Sequence, residues 1–263
     1  MSDEDKHKAR IFLHRGRLGQ ARQCYEQALK DDRSIGDRQA LSDTLGNLGN
    51  VCAMMEDTAT AARHYQEVLE IQREERNVNA IGQTLVNLGN LHVESGKAEQ
   101  ARAYYLEALD LLQPLDDHRA IGILYANVAL QETAVGHFEE AIHYFKKALE
   151  RHRRVGDEDG LAATYSQLGK TFLLAGQAPE AERCLNNACE HFVKLGNGAG
   201  ESAALRLLAD LYEQRNDIQS AIRCFERVVM ASRQFDPTES AKDVERLTQL
   251  QAKRQTQAPS ART

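Results

Sequence analysis

Carboxamide side chains recur at a fixed spacing along this chain of 263 residues. The members of the main series are 40 residues apart, and a second, shorter series follows three residues later: Asn47, Asn87, Asn127 and Gln167, then Asn50 and Asn90. A carboxamide donates and accepts hydrogen bonds at once, so it can pair with both the N–H and the C=O of a peptide backbone. Asn costs about 0.5 kcal/mol against Ala in a helix interior. Its recurrence there therefore calls for a functional reason.

The carboxamides lie within an internal repeat that predicts pairs of α-helices. The first helix of each pair holds a Leu-Gly or similar dipeptide, and the second helix holds Ala21, Tyr25, Ala28 and Leu29 or their equivalents. Spacings of four, three and one place these residues on one helical stripe. One position is Ala in every repeat: Ala21, Ala61, Ala101, Ala141, Ala181 and Ala221. A larger side chain there would push the two helix axes apart.

The repeat also predicts where helices begin and end. Helix pairs are expected at 1–34, 38–75, 78–113, 118–154, 158–194 and 198–234, with a capping helix at 237–254 and a disordered tail at 255–263. Asp or Asn at one position of the links should cap the following helices: Asp37, Asn77, Asp117, Asp157 and Asn197. Gly16, Gly96, Gly136 and Gly176, and also Asn216, suit a left-handed helix end, whereas Glu56 would be strained there. We therefore expect the Met55–Thr58 turn to differ, and Pro114 to end its helix early.

The recurring Leu-Gly, Gly, Ala and Tyr/Phe positions resemble tetratricopeptide repeats over about residues 1–234. The family's usual period is about 34 residues, and the longer form with Asn-Leu-Gly-Asn is similar to repeats of cell-polarity adaptors, kinesin light chains and many bacterial regulatory proteins. The resemblance implies an all-α, right-handed α-α superhelix (solenoid) of about six helix pairs plus a C-terminal capping helix. Its first helices would line a concave groove that binds an extended peptide. The chain departs from this pattern at both ends, where Leu207, for example, replaces Asn.

The candidate peptide-binding residues lie on the face of the first helices opposite the core. A helix turns by about 100° per residue, so Leu45 and Leu48 point to one side while Asn47 and Asn50 point to the other. The predicted site is Asn47, Asn50, Gln83, Asn87, Asn90, Asn127, Gln167 and Lys170. The alternative is that these amides bond between neighbouring first helices or are solvated. Asp43 and Glu94 make the N-terminal end of the predicted groove acidic, whereas Lys170 lies toward the other end. These charges favour a ligand with basic residues toward the N-terminal repeats.

Composition and motif spacing exclude several function classes. A net charge of −6 argues against nucleic-acid binding, and no apolar run is long enough to cross a membrane. The acidic Met1–Asp5 segment is unlike a secretory signal, which favours a cytoplasmic protein. Five cysteines without zinc-like spacing indicate reduced thiols, with a Cys184–Cys224 disulfide as the alternative. We expect no metal, cofactor or catalytic residue. We also expect the basic run His152-Arg153-Arg154 to lie on a solvated helix face.

The leading hypothesis is a non-enzymatic adaptor or scaffold that binds a protein or peptide partner. A regulatory or sensor module that controls an effector is one alternative, with Glu56 and Pro114 as hinge points. A scaffold that self-associates through exposed repeat ends is another. The possibility that the sequence is a piece of a longer array also stays open.

Overall fold

The computed structural model describes residues 2–232 and 237–257, and it divides the chain into two compact units, Met1–Asp117 and His118–Thr263. The described residues form thirteen α-helices and a short 3₁₀ helix (Gln113–Leu115). Unit 1 contains α1 (Ser2–His14), α2 (Leu18–Ile35), α3 (Arg38–Met54), α4 (Thr58–Glu74), α5 (Val78–Glu94) and α6 (Ala98–Leu112). Unit 2 contains α7 (His118–Ala134), α8 (Phe138–Val155), α9 (Glu158–Leu174), α10 (Ala178–Lys194), α11 (Gly198–Gln214), α12 (Ile218–Ser232) and α13 (Pro237–Gln257). The predicted all-α fold class is confirmed.

Within each unit, every helix packs against the next one along the chain. The odd-numbered helices up to α11 are the first helices of the pairs, and the even-numbered ones are the second helices. The alanine at the repeated position of each second helix is completely buried, from Ala21 to Ala221. The methyl group leaves the first helix close enough for its Leu side chains, such as Leu45 and Leu88, to be buried as well.

Glycines in the first helices leave room for large side chains of their partners. A Cβ added at Gly49 would lie 2.6 Å from Cε1 of Tyr65, and one at Gly89 would lie 2.4 Å from Cε1 of Tyr105. Both distances are far below ordinary carbon–carbon contact, which is about 3.5–4.0 Å. The glycine of the Leu-Gly dipeptide therefore allows an aromatic ring to approach the first helix closely.

The turns inside the pairs use a left-handed residue, and one expectation about them is wrong. Gly16, Gly96, Gly136 and Gly176 have φ between 68° and 86°, and Asn216 has φ 59°, as predicted. Glu56 has the same conformation, at φ 60°. Its turn also has the same hydrogen bonds, Glu56 N–H to Ala53 O and Asp57 N–H to Cys52 O, both 2.9 Å. The Met55–Thr58 turn thus does not differ from the others, because packing of α3 on α4 fixes the turn at the cost of a strained glutamate.

The links between pairs are capped largely as the sequence predicts. The side chains of Asp37, Asn77, Asp157 and Asn197 each accept a hydrogen bond from the N–H three residues later, at 2.9–3.2 Å. Pro114 does end its helix early, since α6 stops at Leu112 and the 3₁₀ helix follows. The boundary between the two units comes immediately after this segment.

The last helix, α13, covers α12. Leu250 is buried, and Asp243 accepts two hydrogen bonds from Arg206 of α11, at 2.9 and 2.7 Å. The helix begins at Pro237 and continues to Gln257, beyond the expected end at 254. Residue Asp236, which precedes this helix in the sequence, and residues 258–263 lie outside the described residues. A single array over residues 1–254 stays a prediction.

No helix in the described part of the chain combines the length and apolar character needed to cross a bilayer.

Candidate functional site

The four amides of the main carboxamide series lie one each on α3, α5, α7 and α9, on the side facing away from the buried leucines. Asn47 and Gln167 are exposed, and Asn87 and Asn127 are partly exposed. None of the four side chains has a hydrogen bond to another residue in ranges 2–232 and 237–257. The N–H and C=O groups of these amides are therefore available to a ligand within each unit.

In unit 1, the amides border two open clefts beside the first helices. A cleft of about 220 Å³ between α3 and α5 is lined by Asn50, Ala53, Met54, Tyr65, Asn87, Asn90, Leu91 and Glu94. Asn47 and Asp43 line a second cleft between α1 and α3, together with Lys6 and Arg10. The acidic residue Asp43, expected at the N-terminal end of the groove, is thus accompanied by two basic residues, Lys6 and Arg10. Lys6 is paired at 3.0 Å with the buried carboxylate of Asp32.

The shorter carboxamide series has a structural role that the sequence analysis missed. The phenol of Tyr65 donates to Oδ1 of Asn50, and the phenol of Tyr105 donates to Oδ1 of Asn90, both at 2.6 Å. Each bond joins the first helix to the second helix of the same pair. Asn50 and Asn90 therefore each accept a hydrogen bond from a phenol, and both residues also line the cleft between α3 and α5. The sequence contained a signal for these bonds, because a Tyr follows Asn50 and Asn90 after fifteen residues. The repeats without Asn at this position have no Tyr there either: Phe145 follows Leu130, and Leu185 follows Lys170.

The two tyrosines are held in their neutral form. Burial, followed by the nearby carboxylate of Glu94, raises the pKa of Tyr65 to about 12 and that of Tyr105 to about 12. A neutral phenol is an obligatory donor in this geometry, because the Asn oxygen can only accept. The hydrogen bond is therefore present throughout the physiological pH range.

In unit 2, Asn127 and Gln167 border a more apolar cleft of about 250 Å³ between α7 and α9. The lining residues are Ile123, Ala126, Asn127, Leu130, Phe145, His152, Gly160, Ala163, Thr164 and Gln167. The two first helices are tied together by the hydroxyls of Thr133 and Thr171, 3.1 Å apart. The two first helices that border this cleft, α7 and α9, are thus hydrogen-bonded to each other.

His152 is a functional candidate that the sequence analysis placed wrongly on a solvated face. The residue is only 1% exposed, although Arg153 and Arg154 beside it are exposed. Nδ1 lies 3.0 Å from Oδ2 of Asp157, the residue that caps α9. Burial lowers the pKa of His152 despite the opposing effect of Asp157. The sequence signal was Gly160, eight residues later, which makes room for the ring.

The sequence pattern of the tetratricopeptide repeat family matches residues 5–74, 80–154, 121–194 and 160–234, and so most of the chain. The chain belongs to the tetratricopeptide repeat family. No protein with a curated function matches the sequence. The helix pairs described above are therefore tetratricopeptide repeats in the longer, 40-residue form.

Several solved structures share this fold at low sequence identity. BtubC (BKLC) from P. vanneervenii is 20% identical, with a TM-score of 0.72 over 94% of this chain and 95% of that one. A signal transduction ATPase with a tetratricopeptide repeat sensor, PH0952 from Pyrococcus horikoshii, is 15% identical with a TM-score of 0.74; the match covers 93% of this chain but 41% of that one. Kinesin-light-chain-like repeats from Podosopora anserina are 14% identical, with a TM-score of 0.63 over 73% of this chain and 95% of that one. The resemblance to kinesin light chain repeats is confirmed.

The two remaining predicted site residues, Gln83 and Lys170, are exposed on the first helices α5 and α9 of their repeats. They line none of the clefts described above. Their part in binding stays a prediction.

The buried cysteines of unit 2 lack the properties of nucleophiles. The five cysteines are free, and four of them are buried. Burial raises the pKa of Cys184 to about 11, that of Cys189 to about 12 and that of Cys224 to about 11. Since the thiolate is the reactive form, these thiols are inert at neutral pH. They are free thiols, as the sequence analysis predicted, and the alternative Cys184–Cys224 disulfide is not formed.

Proposed function

We propose that this tetratricopeptide-repeat chain is a non-enzymatic protein-interaction module that binds an extended peptide segment along the face of its first helices. The observation that supports the proposal is the series of unbonded amides at the clefts, in unit 1 and again in unit 2. An unbonded amide on a helix surface contributes little to the stability of the array. The same group is well suited to a partner's backbone.

The spacing of the first helices matches an extended peptide. Packed helices lie about 8–10 Å apart, and an extended chain rises about 3.3 Å per residue. Within one unit, the next amide of the series therefore meets the peptide about three residues further along. Because the contacts are made to backbone groups, the amides fix the course of the peptide and leave sequence preference to the side chains between them.

Charged residues on the first helices favour different partner charges in the two units. Glu94 borders the cleft between α3 and α5, and Lys170 is exposed on α9 in unit 2. A basic partner residue beside α5 complements Glu94, and an acidic partner residue beside α9 complements Lys170. Exposed charges mainly set orientation and association rate, with a modest effect on affinity.

A crosslinking pull-down from the native source tests the proposal. The parent chain should capture a protein that Asn87→Ala/Asn127→Ala captures several-fold less, with helicity and melting unchanged. Gln66→Ala/Asn187→Ala is the matched control, because it removes one side-chain amide from a second helix of each unit. A partner that the Asn variant captures normally would refute binding at the amides.

A regulatory or sensor module is the second candidate function. The specific observation in its favour is the Pro114 segment, with its 3₁₀ helix and left-handed Asp116, at the boundary of the units. A PH0952 domain with the same fold is described as a sensor. Small-angle scattering of the chain with and without its partner tests this candidate. Superimposable profiles would count against it.

A further inference from the structure

The cleft between α7 and α9 contains a buried histidine with an unused acceptor. Glycines on both first helices create its space: a Cβ at Gly122 would lie 3.0 Å from Nε2 of His152, and one at Gly160 would lie 2.2 Å from Nδ1. The neighbouring pair has Phe192 and Gly200 at the corresponding positions, with a Cβ–ring distance of 2.5 Å. A phenylalanine would therefore fill this space equally well, so packing alone does not require histidine.

The protonation of the ring follows from its partners. The carboxylate of Asp157 accepts from Gly160 N–H through Oδ1, and Arg119 Nε approaches Oδ2 to 3.3 Å, so both of its oxygens face donors and act as acceptors. Nδ1 of His152 must then hold the proton, and burial keeps the ring neutral. Nε2 is left with a lone pair. Within residues 2–232 and 237–257 it has no hydrogen-bond partner, although His152 lines the cleft.

The rest of the cleft suits the ring of a ligand. Ile123, Ala126, Leu130 and Ala163 supply apolar surface, and Ile123 is 47% exposed at the opening. The carboxamides of Asn127 and Gln167 add NH₂ donors to the lining.

We propose that this cleft is the anchor pocket for a tyrosine side chain of the bound peptide, an assignment that rests on the proposed function. The ring packs against Ile123, Leu130 and Ala163. The phenol O–H donates to Nε2 of His152, while the phenol oxygen accepts from the NH₂ of Asn127 or Gln167. A phenylalanine leaves Nε2 without a partner. An indole N–H donates but accepts nothing, so tyrosine satisfies both kinds of group in the cleft.

NMR titration of the ¹⁵N-histidine-labelled chain with blocked amino acids tests the pocket without the peptide partner. N-acetyl-tyrosinamide should shift the His152 ring signals saturably and bind about 2- to 10-fold more tightly than N-acetyl-phenylalaninamide, which lacks the hydroxyl. N-acetyl-leucinamide should bind no better than the phenylalanine compound. Equal binding of the tyrosine and phenylalanine compounds would overturn the proposal, and so would the absence of saturable shifts.

Matched variants separate the hydrogen bond from the apolar contact. His152→Phe retains the packing seen at Phe192 and should abolish the preference for tyrosine over phenylalanine. A preference that persists in this variant would also refute the role of Nε2. Ile123→Gln should weaken both aromatic compounds, as followed by their own proton signals, whereas Val155→Gln, with the same 47% exposure outside the cleft, should weaken neither. Failure of these tests together with a loss of partner capture by Asn87→Ala/Asn127→Ala would overturn the tyrosine pocket alone and leave peptide binding intact.

Discussion

Replacing Gly89 by Ala probes the contact on which each helix pair depends. The new Cβ would lie 2.4 Å from Cε1, 2.8 Å from Cδ1 and 2.9 Å from Cζ of Tyr105. The ring must move by about 1 Å to reach ordinary contact. It is only 2% exposed, and its hydroxyl is fixed to Asn90 at 2.6 Å. The substitution therefore forces a buried ring away from its position and weakens the hydrogen bond that holds it.

The expected magnitude combines opposing effects. Overpacking a core costs about 1–3 kcal/mol, and loss of the Tyr105–Asn90 hydrogen bond adds about 1 kcal/mol. Ala is favoured over Gly in a helix by about 1 kcal/mol. The net change is a destabilisation of about 1–3 kcal/mol, which lowers the melting temperature by roughly 2–12 °C in a chain of this size.

Gly46→Ala is the matched control, because Gly46 lies inside α3 and a Cβ there meets nothing within 4 Å. It should raise stability by about 1 kcal/mol. Circular dichroism at 222 nm during thermal and urea unfolding measures both variants. If Gly89→Ala melts at or above the parent temperature, as Gly46→Ala should, the tight approach of the ring to the first helix is wrong.

Three further outcomes are expected. Tyr65→Phe removes the bond to Asn50 and should lower the free energy of unfolding by about 0.5–1.5 kcal/mol in urea titrations, with no change in helicity; an unchanged midpoint would show that the bond contributes nothing. Ala141→Glu places a carboxylate at a completely buried position and should expose unit 2 to limited proteolysis, whereas a protease-resistant variant would contradict the close helix approach there. Burial lowers the pKa of both His64 and His152 below the ordinary 6.5, so the unfolded chain takes up protons first as the pH falls. The free energy of unfolding should be level above about pH 6.5 and decline below it, and His64→Phe/His152→Phe should flatten this dependence; an equal slope in the variant would refute it.

The helix pairs could be predicted from the sequence because their signals are local and periodic. The buried alanines, the caps such as Asp37 and the early end of α6 at Pro114 each follow from a residue's own conformational or packing preference. Repetition at a fixed interval strengthened every one of these signals. The same locality explains the failure at Glu56. Its preference against a positive φ was overruled by the packing of α3 on α4, which a local argument does not contain.

The candidate site was predicted less completely, because burial and pairing depend on contacts distant in sequence. The exposure of Asn47 and Asn87 follows from helix geometry alone, and the structure agrees. The bond between Asn50 and Tyr65 requires knowledge that the phenol reaches across the pair. His152 was placed with its exposed neighbours Arg153 and Arg154, although glycines on two other helices make room for its ring.

The affinity of a captured partner segment for the Asn87→Ala/Asn127→Ala variant tests peptide binding on the first-helix face most directly. Each lost hydrogen bond contributes about 0.5–1.5 kcal/mol, so isothermal titration calorimetry should show roughly a 5- to 150-fold weaker Kd for the variant. The Gln66→Ala/Asn187→Ala control should bind with the Kd of the parent. Equal affinity of all three chains would contradict the account, as would a loss of affinity in the control that matches the loss in the Asn variant.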